Sequence, residues 1–200
     1  MKWVYKTKSN IEGKIERHKA RLVVKGYKQQ HGRDYGETFA PFARMEIMHA
    51  VLSIAAQQKW KLYQMDVKSA FLNGVLKEEV YVVKSPSYEI EGKEEKVCRL
   101  QKALYGLKQA PCAWYSRIDA YLLENGFNKC DGEPTLYIKQ SGGKILIVVL
   151  YVDDLIFIGS DDFLIADFKA VMKSEFAMTD LDLLRYFLGI EVKKNPELFW

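Results

Sequence analysis

Little in this sequence could tie the chain together covalently or carry it across a membrane. Its three cysteines, Cys98, Cys112 and Cys130, are an odd number at wide spacings. That pattern excludes a complete disulfide framework and a zinc knuckle. The three histidines, His18, His31 and His49, also lack ligand spacing. No apolar stretch follows Met1-Lys2, so no signal peptide is expected. The longest apolar run is far short of a membrane span and is broken by an acidic pair. These features read as a reduced, intracellular protein with no membrane partner. Internal repeats, low-complexity tracts and Pro/Gly/Ser-rich linkers are missing as well. Two hundred residues, 48% hydrophobic and 28% charged, exclude disorder. They suffice for one ordinary domain or two interlocked lobes with a sizeable core.

The net charge of +4 is unevenly spread. Residues 1–34 carry ten Lys or Arg against three Asp or Glu, a balance of +7, and the remainder carries 20 against 23, or −3. A basic segment ahead of a nearly neutral body suits a polyanion partner; it equally suits a solvated hairpin with lysines for solubility. Residues 3–8 and 14–25 read as two strands around the loop Asn10-Ile11-Glu12-Gly13. Alternation on the second strand puts Lys19, Arg21, Val23 and Lys25 on one face and Ala20, Leu22 and Val24 on the other. One side is therefore expected to be buried, with three cations pointing from the opposite side toward phosphate or toward water.

Residues 26–43 show no periodicity and read as a long ordered loop. Met48, Val51, Leu52 and Ala55 mark an amphipathic helix over 44–59. A strand at 61–66 ends on Asp66, and short strands follow at 80–83 and 97–100 around a charged loop at 89–96. Pro111 sits where a helix can begin; Trp114, Ile118, Tyr121 and Leu122 form its stripe, and Asn125-Gly126 closes it. A strand at 136–139 comes next. Ser160-Asp161 can cap a helix over 162–173 with the stripe Leu164, Phe168, Val171 and Met172. Residues 186–192 read as a last strand. This order is α+β rather than repeated βαβ.

The stretch ILIVVLYVDDLIFIG (residues 145–159) is the most informative. Its two short β-branched runs read as buried strands around a turn at 152–154, with Asp153 and Asp154 at the tip. Like charges about 4 Å apart repel by roughly 4 kcal/mol at an effective dielectric near 20. A divalent cation would reward keeping both; Asp is also simply a good turn residue. Asp66 lies 87 residues earlier at a strand's end. If the two strands are neighbours, three carboxylates converge on one sheet edge. Hard oxygen donors without His or Cys point to magnesium or manganese. Two such ions could serve a phosphoryl transfer, with Asp66 and Asp153 bridging them and Asp154 a weaker or outer ligand.

Six segments together resemble the reverse transcriptase of copia-type retrotransposons across essentially the whole chain. They are KARLVVKGY (19–27), DYGETFAPFARME (34–46), QMDVKSAFLNG (64–74), CRLQKALYGLKQAPCAWY (98–115), LYVDDLIFIG (150–159) and YFLGIEV (186–192). The resemblance implies a right-hand polymerase with an antiparallel palm sheet, a catalytic hairpin and packed helices. Fingers would come from about 1–60 and 74–108, and palm from about 61–73 and 109–200. It implies an RNA-directed DNA polymerase of an LTR retrotransposon that uses two Mg²⁺ (or Mn²⁺), dNTPs and a primed RNA or DNA template. Asp66, Asp153 and Asp154 would be its catalytic metal triad. Arg21, with Lys19 and Lys25, would meet the triphosphate. Phe71 would be the steric gate against a 2′-hydroxyl, and Tyr105-Gly106 would line the nucleotide pocket. Tyr151, Lys108 and Gln109 would face primer–template (or, for the last two, water), and Leu188-Gly189 would belong to the primer grip.

Other expectations follow from the same resemblance. Lys169 and Lys173 are candidate general acids. Cys112 stands where Arg is usual, Phe42 where a smaller aliphatic is usual, and Asp182-Leu183 where a Gly-containing turn is commoner. These departures fit a drifted, inactive copy. No counterpart of thumb, ribonuclease H, integrase or protease is expected here, which would leave the grip on duplex weak. The rest of the Pol polyprotein would be a partner, in a virus-like particle. The competing readings are a non-catalytic remnant that binds single strands by stacking and charge, and a template-independent nucleotidyl transferase or cyclase.

Overall fold

A computed structural model describes residues 1–10, 12–84, 91–92 and 95–193. Ile11 and half of the expected loop at 89–96 lie outside the described residues, as does Trp200. The elements run β1 (Lys2–Ser9), β2 (Ile15–Val23), α1 (Met45–Gln58), β3 (Leu62–Val67), β4 (Val75–Val82), β5 (Cys98–Lys102) and α2 (Ala110–Glu124). They continue with β6 (Asn128–Cys130), β7 (Glu133–Ser141), β8 (Lys144–Tyr151), β9 (Asp154–Gly159), α3 (Asp162–Glu175), β10 (Met178–Leu183), β11 (Tyr186–Phe187) and β12 (Ile190–Glu191). Short 3₁₀ turns occupy Gly26–Lys28 and Ala70–Asn73. The content is α+β, with antiparallel sheets. Among the described residues no helix is long and apolar enough to cross a membrane.

Packing divides the chain into two compact units, Met1–Ala40 with Phe71–Arg117, and Pro41–Ala70 with Ile118–Trp200. The expected partition kept residues 1–60 together. By packing, residues 41–60 go with the second unit, because α1 buries Met48, Val51 and Ala55 in that unit's core.

In the first unit, β1 and β2 form a two-stranded antiparallel ribbon, and β4 pairs with β5. The ribbon corrects the expectation of one buried side. Ala20 is exposed and Lys19 half-buried, while Tyr5 and Ile15 are open to water. Burial grows only toward the ribbon's base, where Val23 bridges Tyr105 and the Val24 N–H donates to the Tyr105 carbonyl. There Val24, Phe71, Leu76, Val80 and Leu100 pack on Ala103, Leu107 and Ala110. β2 ends at Val23, so Lys25 falls past the strand and does not share the face of Lys19 and Arg21.

The second unit is built on a six-stranded antiparallel sheet in the order β10-β3-β9-β8-β7-β6. From Val148 to Leu150 and from Leu155 to Ile158 every residue is fully buried. Both faces of the hairpin are covered, which is why its sequence is continuously apolar rather than alternating. On one face Ile156, Ile158, Val149 and Leu62 meet α1. On the other, Phe157 packs edge-on against Phe168 of α3, their centroids 5.1 Å apart. Asp161 caps α3 as expected, its Oδ1 accepting from the Leu164 N–H at 3.0 Å. Ile165 is buried deeper than the anticipated Leu164. Residues 186–192 form a small hairpin instead of one strand. Leu188 and Gly189, at φ 49° and 83°, make its two-residue loop, the conformation that favours Gly in a tight hairpin turn.

Candidate active site

Strand β3 reads LYQMDV. Its alternation sends Met65 and Val67 into the core and leaves Gln64 and Asp66 on the opposite face. β3 lies beside β9 with Asp66 directly opposite Asp154. The hairpin of β8 and β9 closes with Tyr151 opposite Asp154, so its loop is Val152-Asp153 alone. The turn is thus one residue shorter than expected, and Asp154 is the first residue of β9. Val152 takes φ 55°, costly for a β-branched residue though suited in sign to a two-residue hairpin loop. Two backbone hydrogen bonds hold it: the Val152 N–H donates to the Pro41 carbonyl at 2.8 Å, and the Val67 N–H donates to the Asp153 carbonyl at 2.8 Å.

The three carboxylate-bearing positions are therefore gathered at one end of neighbouring strands. Burial raises the pKa of Asp154. A hydrogen bond from Gln64 Nε2 to Oδ1 at 2.9 Å works against that rise, while the charges of Asp153 and Asp66 add to it. Among the described residues no three His, Cys, Asp or Glu side chains converge as a ready-made cage for one ion. Magnesium needs no such cage: it is commonly held by one or two carboxylates, with water and substrate phosphates completing the shell. An edge of hard oxygen donors with mutually repelling charges fits that chemistry.

Tyr151 is half-buried, its ring edge-on to Phe42 at 5.4 Å and to Phe187 at 5.2 Å. The unexpectedly large Phe42 thus has an aromatic partner. Asp182 adopts φ 60°, and its N–H donates to Asp180 Oδ1, so it performs the turn where glycine was anticipated. Asp180 engages both lysines of α3, Lys169 at 3.1 Å and Lys173 at 3.1 Å. Lys169 also stands 4.2 Å above the Tyr63 ring.

The remaining anticipated residues cluster in the first unit. The Arg21 guanidinium lies 5.2 Å over the Tyr105 ring, and Phe71 tilts against the same ring at 5.1 Å. Gly106 sits at φ 94°, and a Cβ there would overlap the Val24 carbonyl oxygen. One on Gly26 would overlap the Gly106 carbonyl oxygen. Two glycines are thus needed where these backbones cross. Lys108 is exposed. Gln109 is not available to template or water: it is buried, its Nε2 donates to the Asp34 carbonyl, and its Oε1 accepts from Gln29. A buried amide satisfied at both ends staples the loop at 26–36 instead. Cys112 is partly buried, and its thiol pKa is raised by that burial and by the charges of Glu37 and Glu78.

Two contributors escaped sequence reasoning. Gln64 lies two residues before Asp66, hence on the same face, and that spacing could have revealed it. Pro41 gave no local signal, since its part is a backbone carbonyl 111 residues from the Val152 that it receives.

The chain belongs to the reverse transcriptase (RNA-dependent DNA polymerase) family, which matches residues 1–199. Within that family its relatives are Pol polyproteins of copia-type retrotransposons. It is 40% identical over 196 residues to a retrovirus-related Pol polyprotein from transposon RE2 of Arabidopsis thaliana, covering 98% of this chain and 14% of the relative. It is 41% identical over 195 residues to that of transposon TNT 1-94 of Nicotiana tabacum (97% and 15%). With the Gag-Pol polyprotein of transposon Ty1-ER2 of Saccharomyces cerevisiae it shares 30% over 191 residues (88% and 10%). The chain therefore spans about one seventh of the length of the plant relatives. No solved structure matches.

Proposed function

We propose that this chain carries the fingers and palm of an RNA-directed DNA polymerase, the first unit being fingers and the second palm. The observation that carries this reading is Asp66 paired in register with Asp154, with Asp153 one residue back in a strained, doubly hydrogen-bonded loop. Asp66 and Asp153 would hold two Mg²⁺, and Mn²⁺ could take their place. When bound, such ions supply activation of a primer 3′-hydroxyl and neutralise the departing pyrophosphate.

The side chains of the chain have separable parts in this scheme. Gln64 occupies one oxygen of Asp154, which keeps that carboxylate oriented and makes it the outer member of the set. The hydrogen bonds from Val152 and to Asp153 hold the loop still, so that the Asp153 carboxylate meets its ligands without reorganisation. In the fingers, Arg21 meets the triphosphate from its seat over Tyr105, with Lys19 and Lys25 adding positive charge. Phe71, braced on Tyr105, is the gate against ribonucleotides. Lys108, Tyr151, Leu188 and Gly189 would serve primer and template. Template, dNTPs and the remainder of a Pol polyprotein are the partners.

Primer extension on an RNA template tests the reading. Asp66→Asn and Asp153→Asn should each remove at least about 10³-fold of the Mg²⁺-dependent extension rate with the circular dichroism spectrum unchanged. Extension that survives either change would take that residue out of the metal set. Primer–template binding that is indifferent to EDTA, with no extension at all, would favour the non-catalytic binding module.

A further inference from the structure

One of the two backbone hydrogen bonds described above for the Asp153 loop is accepted by the carbonyl of Pro41. Pro41 opens a short strap, Pro41-Phe42-Ala43-Arg44, leading into α1. Every residue of the strap is fixed. Pro41 accepts from the Val152 N–H at 2.8 Å, Phe42 stacks edge-on against Tyr151, and Ala43 is buried in the core beneath α1. Arg44 is seated at both ends. Its carbonyl accepts from the Ile47 N–H at 3.1 Å in the first turn of α1, and its guanidinium reaches away from the helix. There Nη2 donates to the Gly132 carbonyl at 3.0 Å, and Nε stands 3.1 Å from Glu133 Oε2.

Glu133 is a conspicuous partner. Its side chain is only 5% exposed, whereas that of Arg44 is 67% exposed. Thr135, fully buried, donates to Glu133 Oε1 at 2.6 Å. The contact from Arg44 Nε to Oε2 lacks the alignment of a hydrogen bond, so this oxygen is held by charge rather than by a linear bond. A buried carboxylate is expensive unless paired, and here the pairing cation comes from the strap. Arg44 is also the N-cap residue of α1 and makes no side-chain cap there. Its side chain is committed to Glu133 instead. β7 runs antiparallel to β8 with Leu136 opposite Val149, so the start of β7, where Glu133 lies, is beside the end of β8 that enters the loop.

We infer that Arg44 and Glu133 are positioning residues: their ion pair anchors the strap so that the Pro41 carbonyl holds Val152 in its positive-φ conformation and thereby places Asp153. A β-branched residue keeps that conformation only while its surroundings over-determine it. Loosening the strap breaks the hydrogen bond from the Val152 N–H to the Pro41 carbonyl, lets the loop relax, and moves the Asp153 carboxylate without touching it. This inference rests on the polymerase reading for its catalytic consequence, but not for the structural link itself.

Two conservative variants separate the possibilities. Glu133→Gln keeps the shape and the Thr135 bond but loses the charge; Arg44→Lys keeps the charge but loses the planar fork. Hydrogen exchange at the Val152 amide, read by NMR, should accelerate at least about tenfold in both, with amides at the centres of β8 and β9 unchanged. In primer extension kcat should fall roughly 10–100-fold with KM for dNTP unaltered. The double variant should be no worse than the worse single one. Val152 protection that persists in both variants would overturn the inference. So would an equal loss of protection across β8 and β9, which would make the pair an ordinary fold stabiliser. If the unaltered chain extends no primer, the polymerase reading fails, and the exchange measurements still decide whether the strap holds the loop.

Discussion

Three carboxylates at one end of a buried sheet oppose folding, and the side chain of Gln64 offsets part of that cost at Asp154. Because burial and the neighbouring charges hold the pKa of Asp154 above its ordinary value, the folded state takes up its proton more readily than the unfolded chain does. The sign follows: the penalty is absent below the unfolded pKa, near 3.9, and is fully present above the raised folded one. Asp154→Asn should therefore raise the melting temperature by about 2–4 °C at neutral pH, with the gain vanishing toward acid, while extension activity falls. Melting curves across that pH range check it. Asp153 and Asp154 stood out as candidates because adjacent like charges inside an apolar stretch need a reason, and Asp66 because it closes a predicted strand; the structure brings the three positions to one sheet end. Gln109 was not: nothing local distinguishes a buried, doubly bonded amide from a surface one, and only Asp34 and Gln29 reveal which it is.

Elements were legible in proportion to their burial. The stripe of α1, the stripe and Asn125-Gly126 stop of α2, the Asp161 cap and the β8–β9 pair follow from period and capping chemistry, and the structure contains them. Edge elements were not. β10 reads MTDLDL, whose aspartates disguise a strand that, among the described residues, pairs only with β3. The two strands at 186–191 are too short for any alternation to register. The junction of α3 with β10 carries its own pH signature. Burial alone would raise the pKa of Asp180, yet the Asp182 N–H and the two lysines outweigh it, and the carboxyl sits below its ordinary value. The stability it contributes is present above the unfolded pKa and is lost as pH falls through the folded one. Asp180→Asn should thus lower stability at pH 7 and flatten the decline of the urea midpoint below about pH 4. An unchanged acid limb would show that Lys169 and Lys173 do not hold the strand.

Across the whole molecule, charge is segregated where packing is thinnest. On the ribbon, Lys6 stands directly opposite Lys19, and Lys8 directly opposite Arg17. Such like-charge pairs weaken a two-stranded sheet unless a polyanion lies over them. Lys6→Gln and Lys8→Gln should each reduce the salt slope of primer–template binding by about one, without lowering the melting temperature. Fluorescence anisotropy at several KCl concentrations measures the slope. The fully buried β8–β9 hairpin carries a different consequence, for synthesis rather than chemistry. β3 leaves the ribosome 87 residues before its partner β9, so its pairing is distant in sequence and slow to form. Meanwhile ILIVVL, six apolar residues without charge or proline, is a segment of the kind that stacks into fibrils when its edges are open. Polypeptides that stop between β8 and β9 should therefore partition into insoluble aggregates, so the strand that delivers the aspartates is also the one most hazardous to leave unpaired.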